Sequence, residues 1–273
     1  MNVREAASHA AGRLAQAGVS DSRFEAELLA RESSGLSRAE YFAGAEMSNE
    51  AAVQFAGLVE RRTQREPAAY ITGHREFFGR DFAVGPGVLI PRPETEQLVA
   101  LALKEIDSNL RAVVLEVGTG SGAVAVTIAA ERPDACVIAT EISREAMVFA
   151  RTNADRLGAR PHFVLGDLAS AVSRADVVVA NLPYIPSWEI EALEPEVSKW
   201  EPLVALDGGA DGLVLIRKLI DDCANRFHPR LLALEVAFGQ AKDVLPILAS
   251  HGVDPWTERD LSGIERTVCA RWP

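Results

Sequence analysis

The stretch Ala112-Val113-Val114-Leu115-Glu116-Val117-Gly118-Thr119-Gly120-Ser121-Gly122-Ala123 decides the fold. A β-branched run leads into a turn with glycine at 118, 120 and 122, and an apolar helical pattern follows from 122 to 131. This order reads as a buried strand, a tight turn and a helix. Side chains at the three glycines would block the close approach of backbone amides, and a helix opening at Gly122 starts with free N–H groups. Such a site suits a carboxylate or a pyrophosphate. Read as GxGxxA through Ala123, the residues also fit a weak dinucleotide fingerprint, and tight strand-to-helix packing alone would use the same glycines. The glycines therefore leave S-adenosylmethionine and a nicotinamide nucleotide both open.

Two carboxylates tilt that choice toward S-adenosyl-L-methionine. Glu116 stands before the first glycine, where it can receive the ammonium of a methionyl group. Glu141 ends the next strand about 20 residues on, where a carboxylate accepts ribose hydroxyl protons. Gly166-Asp167-Leu168 closes the strand after that, which places Asp167 by the exocyclic amine of adenine and Leu168 against the ring. The tripeptide also reads as an ordinary strand-ending turn. Thr119 and Ser121 complete the expected cofactor turn.

A second motif, Asn181-Leu182-Pro183-Tyr184, follows the β-branched run 177–180 and should also sit at the carboxyl end of a parallel strand, where open α/β sheets bind ligands. An amide nitrogen is a poor nucleophile because its lone pair is delocalised into the carbonyl. Two acceptors on its two N–H bonds polarise it and aim the lone pair at an electrophile. The Asn181 side chain offers one oxygen and the Leu182 carbonyl the other. Pro183 fixes the turn and Tyr184 supplies a flat face. A plain strand-ending turn is the alternative. Together the two motifs point to methyl transfer from S-adenosylmethionine to nitrogen, with Asn181 placed to touch both cofactor and substrate.

The chain has 273 residues, 48% of them hydrophobic, enough for a large domain with a small partner. Its formal net charge is −11, of which residues 1–85 carry −2, with ten basic and twelve acidic side chains. No basic stripe of the kind that grips phosphates is visible. Cys136, Cys223 and Cys269 show no CxxC spacing, and His9, His74, His162, His228 and His251 show no HxxxH or HExxH spacing, so neither a disulfide framework nor a metal site is expected. A reducing cytoplasm is the simple inference. No apolar run has the length of a signal peptide or a membrane span.

Residues 3–66 read as helices, with Val3, Ala7, Ala10 and Leu14, then Phe24, Leu28 and Leu29, at helical steps. Ser20 or Asp21, Ser37 and Ser48 are the expected starts, the last opening a helix through Val53 and Leu58. Residues 70–84 are aromatic and β-branched around Gly73 and Gly79 and read as a hairpin. The proline-rich run 90–93 cannot be helical, and a helix follows from about Thr95 to Ile106. Beyond it, strands 112–117, 135–141, 161–165, 175–181 and 231–236 alternate with helices 122–131, 144–157, 212–226 and 240–250. This predicts a doubly wound α/β fold with a parallel sheet covered on both faces. Residues 256–261 and 265–272 flank Ser262-Gly263 as an antiparallel carboxyl-terminal hairpin would. The expected organisation is a helical domain at 1–66, a hairpin linker at 67–86 and a cofactor domain at 87–273.

The chain resembles, over essentially its whole length, the N5-glutamine methyltransferases that modify peptide chain release factors, the HemK/PrmC family. The resemblance lies in Tyr70-Ile71-Thr72-Gly73, Phe78-Gly79, Ile90-Pro91-Arg92-Pro93-Glu94-Thr95-Glu96, the glycine turn, Asn181 to Tyr184, Glu201-Pro202, Leu206, Gly208-Gly209, Asp211-Gly212-Leu213, Gly263 and Glu265-Arg266. It implies a Rossmann-like class I methyltransferase domain with a small helical amino-terminal domain that recognises a class I release factor. It further implies methylation of the glutamine of that factor's Gly-Gly-Gln motif. By the same resemblance the glycine turn, Glu141 and Leu168 bind S-adenosylmethionine, Asn181 to Tyr184 hold the glutamine amide, and Arg92 and Pro93 border the substrate. The family usually has proline where this chain has Leu182, and Asn-Leu-Pro-Tyr also resembles the motif of adenine-N6 methyltransferases acting on ribosomal RNA. Two rivals follow. A nucleic-acid adenine methyltransferase would need a basic surface, for which Arg61, Arg62, Arg65, Arg75 and Arg80 are the candidates. A binding protein that kept the cofactor fold without catalysis is the other, and the intact Asn181 and Tyr184 argue against it.

Overall fold

Helix α1 (Val3–Gln16) begins at Asn2, whose side chain accepts from the Arg4 amide. Helix α2 (Ser22–Ser34) follows Asp21, which holds the cap position without a side-chain bond, and ends at Gly35 in the left-handed conformation. Ser37 opens α3 (Arg38–Phe42) with a reciprocal capping box to Glu40, and Ser48 caps α4 (Asn49–Thr63) through the Ala51 amide. A fifth helix, α5 (Ala68–Thr72), takes up Tyr70 and Ile71, so these two are helical and not part of a hairpin. Gly73, at φ 80°, ends it. The core of this bundle is built by Val3, Leu14, Leu29, Phe55, Val59 and their neighbours. Phe24 and Val53 point outward, 62% and 76% exposed. The buried stripe of α4 is Ala51, Phe55, Val59 and Arg62, at helical steps of four and three residues that leave Val53 on the far side.

The computed structural model describes residues 1–106 and 112–273. They divide into two units, Met1–His74 with Glu194–Trp200, and Arg75–Leu193 with Glu201–Pro273. The second unit starts with a short hairpin, β1 (His74–Phe77) and β2 (Arg80–Ala83). A single 3-10 turn at Pro93–Thr95, where proline at the first position costs no hydrogen bond, leads into α6 (Glu96–Glu105). Then come β3 (Val113–Val117), α7 (Ala123–Glu131), β4 (Cys136–Glu141), α8 (Arg144–Leu157), β5 (His162–Leu165) and β6 (Val177–Ala180). A one-turn helix α9 (Pro195–Ser198), which belongs to the first unit, precedes α10 (Val214–Asp222), and a π-helical turn at Cys223–Phe227 extends the latter. The chain closes with β7 (Leu231–Glu235), α11 (Ala241–Ser250), β8 (Trp256–Arg259) and β9 (Glu265–Ala270).

The seven-stranded sheet runs β5-β4-β3-β6-β7-β9-β8. Its first five strands are parallel, and β9 pairs antiparallel with both β7 and β8, with a register shift at Glu258/Arg259. The carboxyl-terminal hairpin therefore inserts its second strand beside β7. Alternate residues of the central strands feed opposite cores: Leu115, Val178 and Leu232 face Ile216, Leu219 and Val244, while Val114, Val177 and Leu231 face Leu98, Val126 and Ile128. Each such aliphatic side chain contributes roughly 1.5–3 kcal/mol on burial, so the β-branched runs hold helices on both faces of the sheet. No helix among the described residues is long and apolar enough to cross a membrane.

One polar side chain is built into this packing. Asn153 on α8 is fully buried; its Oδ1 accepts from Ala83 N at 2.7 Å, and its Nδ2 donates to the carbonyls of Ala83 (3.0 Å) and Ser121 (2.9 Å). It ties the end of β2 and the glycine turn to α8. Truncation strands one buried and two half-buried backbone groups, so Asn153→Ala should destabilise the chain by about 2–3 kcal/mol, read as a lower denaturant midpoint at unchanged slope.

Candidate active site

Strands β3 and β6 are neighbours in parallel register, Val117 opposite Ala180. The two turns that follow them therefore leave the sheet side by side, at the point where the strand order reverses. A cavity of about 490 Å³ opens there, within the size range of small-molecule sites. Gly118, Gly120 and Gly122 have φ of 76°, 56° and 83°, a region that disfavours side chains. Gly118, Thr119, Gly120 and Ser121 line the cavity. Gly122 does not; a Cβ there would lie 3.1 Å from the Ala150 backbone, so this glycine serves the packing of α7 on α8.

Most amides of the turn already have acceptors. Gly118 and Thr119 donate to the Thr140 carbonyl, Gly122 to that of Thr119, and Gly120 to Glu141 Oε2 at 2.8 Å. The N–H groups of Ser121, Ala123 and Val124, all residues of the cavity wall, have no acceptor among the described residues. The open anion seat is thus narrower than the whole turn and lies at the first residues of α7.

Glu141 also accepts from Ser143 N at 2.8 Å, so each of its oxygens holds one backbone amide and keeps a further lone pair for a ligand. Glu116 is buried, and its Oε2 accepts from the Thr119 hydroxyl (2.5 Å) and from Ala125 N (2.9 Å). Burial pushes its carboxyl up to about 8 against the opposing pull of those two donors, and the nearby Glu141 charge adds to the rise. Asp167, exposed, and Leu168, in the left-handed region at φ 46°, complete this side of the wall. A non-glycine residue held there carries strain, which places it among the constrained positions of the site.

On the other side, Asn181, Leu182 and Pro183 line the cavity together with Arg92 and Thr95. Asn181 Nδ2 donates to Thr95 Oγ1 at 3.1 Å, which leaves Asn181 Oδ1 as the free end of the amide. Leu182 turns its side chain into the core, and a Cβ on Gly118 would lie 3.4 Å from its Cδ2. Arg92 forms an ion pair with the buried Glu201, whose carboxyl is raised by burial against the pull of Arg92. Pro93 is exposed and does not border the cavity, nor does Tyr184, whose ring packs against the hydrophobic core. Burial, with the charge of Glu235, holds the Tyr184 phenol neutral.

Thr95, Glu201 and Glu235 have no role in the sequence reading. Glu235 is the last residue of β7 and Glu116 the last but one of β3, and a carboxylate at the close of an aliphatic strand is the signal that would have found it. The arginines considered as a nucleic-acid patch are largely neutralised. Arg61 pairs with Glu66, Arg62 with Glu25 and Glu196, Arg65 with Glu194 and Glu196, and Arg80 with Glu131.

Two domain families match the chain, PrmC N-terminal domain over residues 5–73 and methyltransferase small domain over residues 94–192. A release factor glutamine methyltransferase of Geobacter sulfurreducens is 40% identical over 275 residues, covering 98% of this chain and 96% of that protein. One of Rhodospirillum rubrum is 41% identical over 268 residues, covering 96% and 82%. Among solved structures, a methyltransferase from Pyrococcus furiosus superposes with a TM-score of 0.53 at 20% identity, over 71% of this chain and 89% of that one. The catalytic domain of hMettl16 does so with 0.56 at 16% identity, over 82% of each. These two likenesses concern the fold alone.

The raised Glu116 carboxyl has a measurable consequence. Between the ordinary carboxylate value of 4.5 and about 8 the folded chain holds a proton that the unfolded chain gives up, so Glu116 lowers stability progressively as pH rises through that window. Glu116→Gln should therefore gain stability relative to the parent by about 1 kcal/mol per pH unit across it. Chemical denaturation at a series of pH values checks this, and a pH-independent difference would return Glu116 to the ordinary range.

Proposed function

The chain belongs to the release factor glutamine methyltransferases, and from that premise we propose that it methylates the side-chain amide nitrogen (N5) of the glutamine in the Gly-Gly-Gln motif of a class I release factor. The observation that carries this reading is the Asn181 amide. Its NH2 end is bound to Thr95, so it offers an oxygen acceptor to the cavity, which is what an amide substrate needs.

S-adenosyl-L-methionine supplies an electrophilic methyl group on sulfonium. The residues on the first side of the cavity suit it. The free amides of Ser121, Ala123 and Val124 would take the methionyl carboxylate, aided by the α7 dipole, and Glu116, giving up its proton as the positive charge arrives, would take its ammonium. The spare lone pairs of Glu141 would take the ribose hydroxyls, with Asp167 and Leu168 beside adenine. Asn181 Oδ1 and the Leu182 carbonyl would accept the two N–H bonds of the glutamine amide, which turns its lone pair toward the methyl group. Pro183 holds that backbone rigid, and Arg92 frames the entrance. Tyr184 supports this turn from behind, since its carbonyl accepts from Gln240 Nε2 at 3.1 Å. No base is required before transfer, because the methylated nitrogen is acidic and loses its proton to water. The helical unit is the part we assign to recognition of the release factor, and the cytoplasm is the compartment in which that substrate would be met.

The adenine-N6 reading remains the rival to be tested, since it would use the same four residues. The net charge of −11 and the paired arginines oppose it. Incubation with a purified release factor and, separately, with ribosomal RNA, followed by mass spectrometry, should place one methyl group on the Gly-Gly-Gln glutamine. Label found only in RNA adenine would overturn the assignment. Asn181→Ala should lower turnover by about 100- to 1000-fold, the loss usual for one preorganised polar group, with a far smaller effect on cofactor affinity measured by calorimetry.

A further inference from the structure

Asn181 can act as an acceptor only if its amide is held one way round. The two ends of an asparagine amide are nearly the same size, and a half-turn would present NH2 to the substrate and undo the polarisation. The neighbour that decides this is Thr95, buried in the 3-10 turn before α6, whose Oγ1 faces Asn181 Nδ2. A hydroxyl has one hydrogen. If that hydrogen is spent elsewhere, Oγ1 has only lone pairs to offer, and Asn181 must turn its NH2 end toward it.

The group that can take it is Glu235. This carboxylate, at the end of β7 and 3% exposed, faces the Thr95 hydroxyl, which opposes the rise that burial imposes on it. Its Oε2 is buried with no hydrogen-bond partner among the described residues. A buried carboxylate left half-satisfied beside an active site is costly, which argues for a use.

We propose that Glu235 and Thr95 are positioning residues for methyl transfer, the ionised Glu235 fixing the Thr95 hydroxyl so that Asn181 can present only its oxygen to the glutamine amide. The inference rests on the function proposed above. Once protonated, Glu235 can itself donate to Thr95 Oγ1, which frees the Thr95 hydrogen to turn to Asn181 Oδ1 and admit the wrong orientation. The charged groups facing Glu235 are Glu94 and Arg92, from the segment ahead of α6, and Arg266, from β9; the Tyr184 phenol faces it from the turn after β6. Burial raises the Glu235 carboxyl to about 7, with Glu94 adding to the rise and Thr95, Arg266 and Arg92 opposing it. Turnover should therefore fall as pH drops through that region.

The test is single-turnover methylation of a release factor at saturating cofactor, followed against pH, for the parent chain, Glu235→Gln, Thr95→Val, Thr95→Ser and the Glu235→Gln/Thr95→Val pair. Glu235→Gln and Thr95→Val should each lose on the order of 10- to 100-fold above the acid limb, and both should lose the limb itself. Cofactor affinity should stay at the parent value. Thr95→Ser, which keeps the hydroxyl, should recover most of the loss together with the pH dependence. The double variant should be no slower than the worse single one, because the two residues act as one unit. Additive losses, an acid limb that survives in Glu235→Gln, or parent turnover in Thr95→Val would each overturn the relay. If Glu235→Gln does not unfold cooperatively, the contrast between Thr95→Val and Thr95→Ser decides alone. A parent chain inactive on the release factor would instead overturn the function and this inference with it.

Discussion

The parallel pairing of β3 with β6 is the constraint from which the site follows. It sets Val117 opposite Ala180, so that the chain leaves the sheet at Gly118 and at Asn181 on adjacent strands. Leu182 then reaches under Gly118, its Cδ2 at van der Waals distance from where a Cβ would stand. The glycine is needed for its φ of 76°. Because both strands are wholly buried, a one-residue slip would turn Leu115 and Val178 out of one core and into the other, so the register is held by the full apolar content of both faces.

Carboxylates stand at or next to the carboxyl ends of three of these strands, and their surroundings give them different work. Glu141 at the end of β4 holds two backbone amides and acts as a fixed acceptor. Glu116, one residue before the end of β3, is buried, holds one amide and one hydroxyl, and retains its proton toward pH 8. Glu235 at the end of β7 faces the Thr95 hydroxyl and leaves an oxygen bare. The same residue type at equivalent ends of parallel strands thus becomes a clamp, a proton-bearing wall and an orienting group, set by how many donors burial allows each to meet.

Much of the catalytic unit was legible because it is written in short-range pattern. The aliphatic strands, the glycine turn and the serine caps at 37 and 48 declare themselves within a few residues, and α8 follows the predicted bounds of 144 and 157. Tyr70 and Ile71 misled because aromatic and β-branched residues favour strands only when a partner strand is present; here they complete a five-residue helix that packs in the first unit. Phe24 counted as a core position by its size, whereas the buried stripe of α2 is made of Ala26, Leu29, Ala30 and Ser33. The Asn181 to Tyr184 turn was legible as a motif, yet the inward packing of Tyr184 was not, since nothing local says which way a ring turns. The partners of the site were illegible for a plainer reason. Thr95 and Asn181 are 86 positions apart, and Arg92 and Glu201 are 109 apart. No pattern of period two or 3.6 reports such a pairing.

The run Pro-Arg-Pro-Glu-Thr-Glu gathers those long-range ties into six residues. Arg92 reaches Glu201, Thr95 joins Asn181 to Glu235, and Glu96 Oε1 accepts from the Phe78 amide at 2.8 Å, where the hairpin turns at φ 52°. Proline at 91 and 93 makes these ties possible. It keeps the backbone extended up to Arg92, so that the arginine points across the cavity mouth and not along a helix, and it then starts the 3-10 turn that brings Thr95 under Asn181. A helix begun three residues earlier would rotate Thr95 off the amide by most of a turn. The segment therefore carries the geometry of the Asn181 side of the cavity, while Leu182, whose carbonyl is all the proposed chemistry asks of it, is free to spend its side chain on the core.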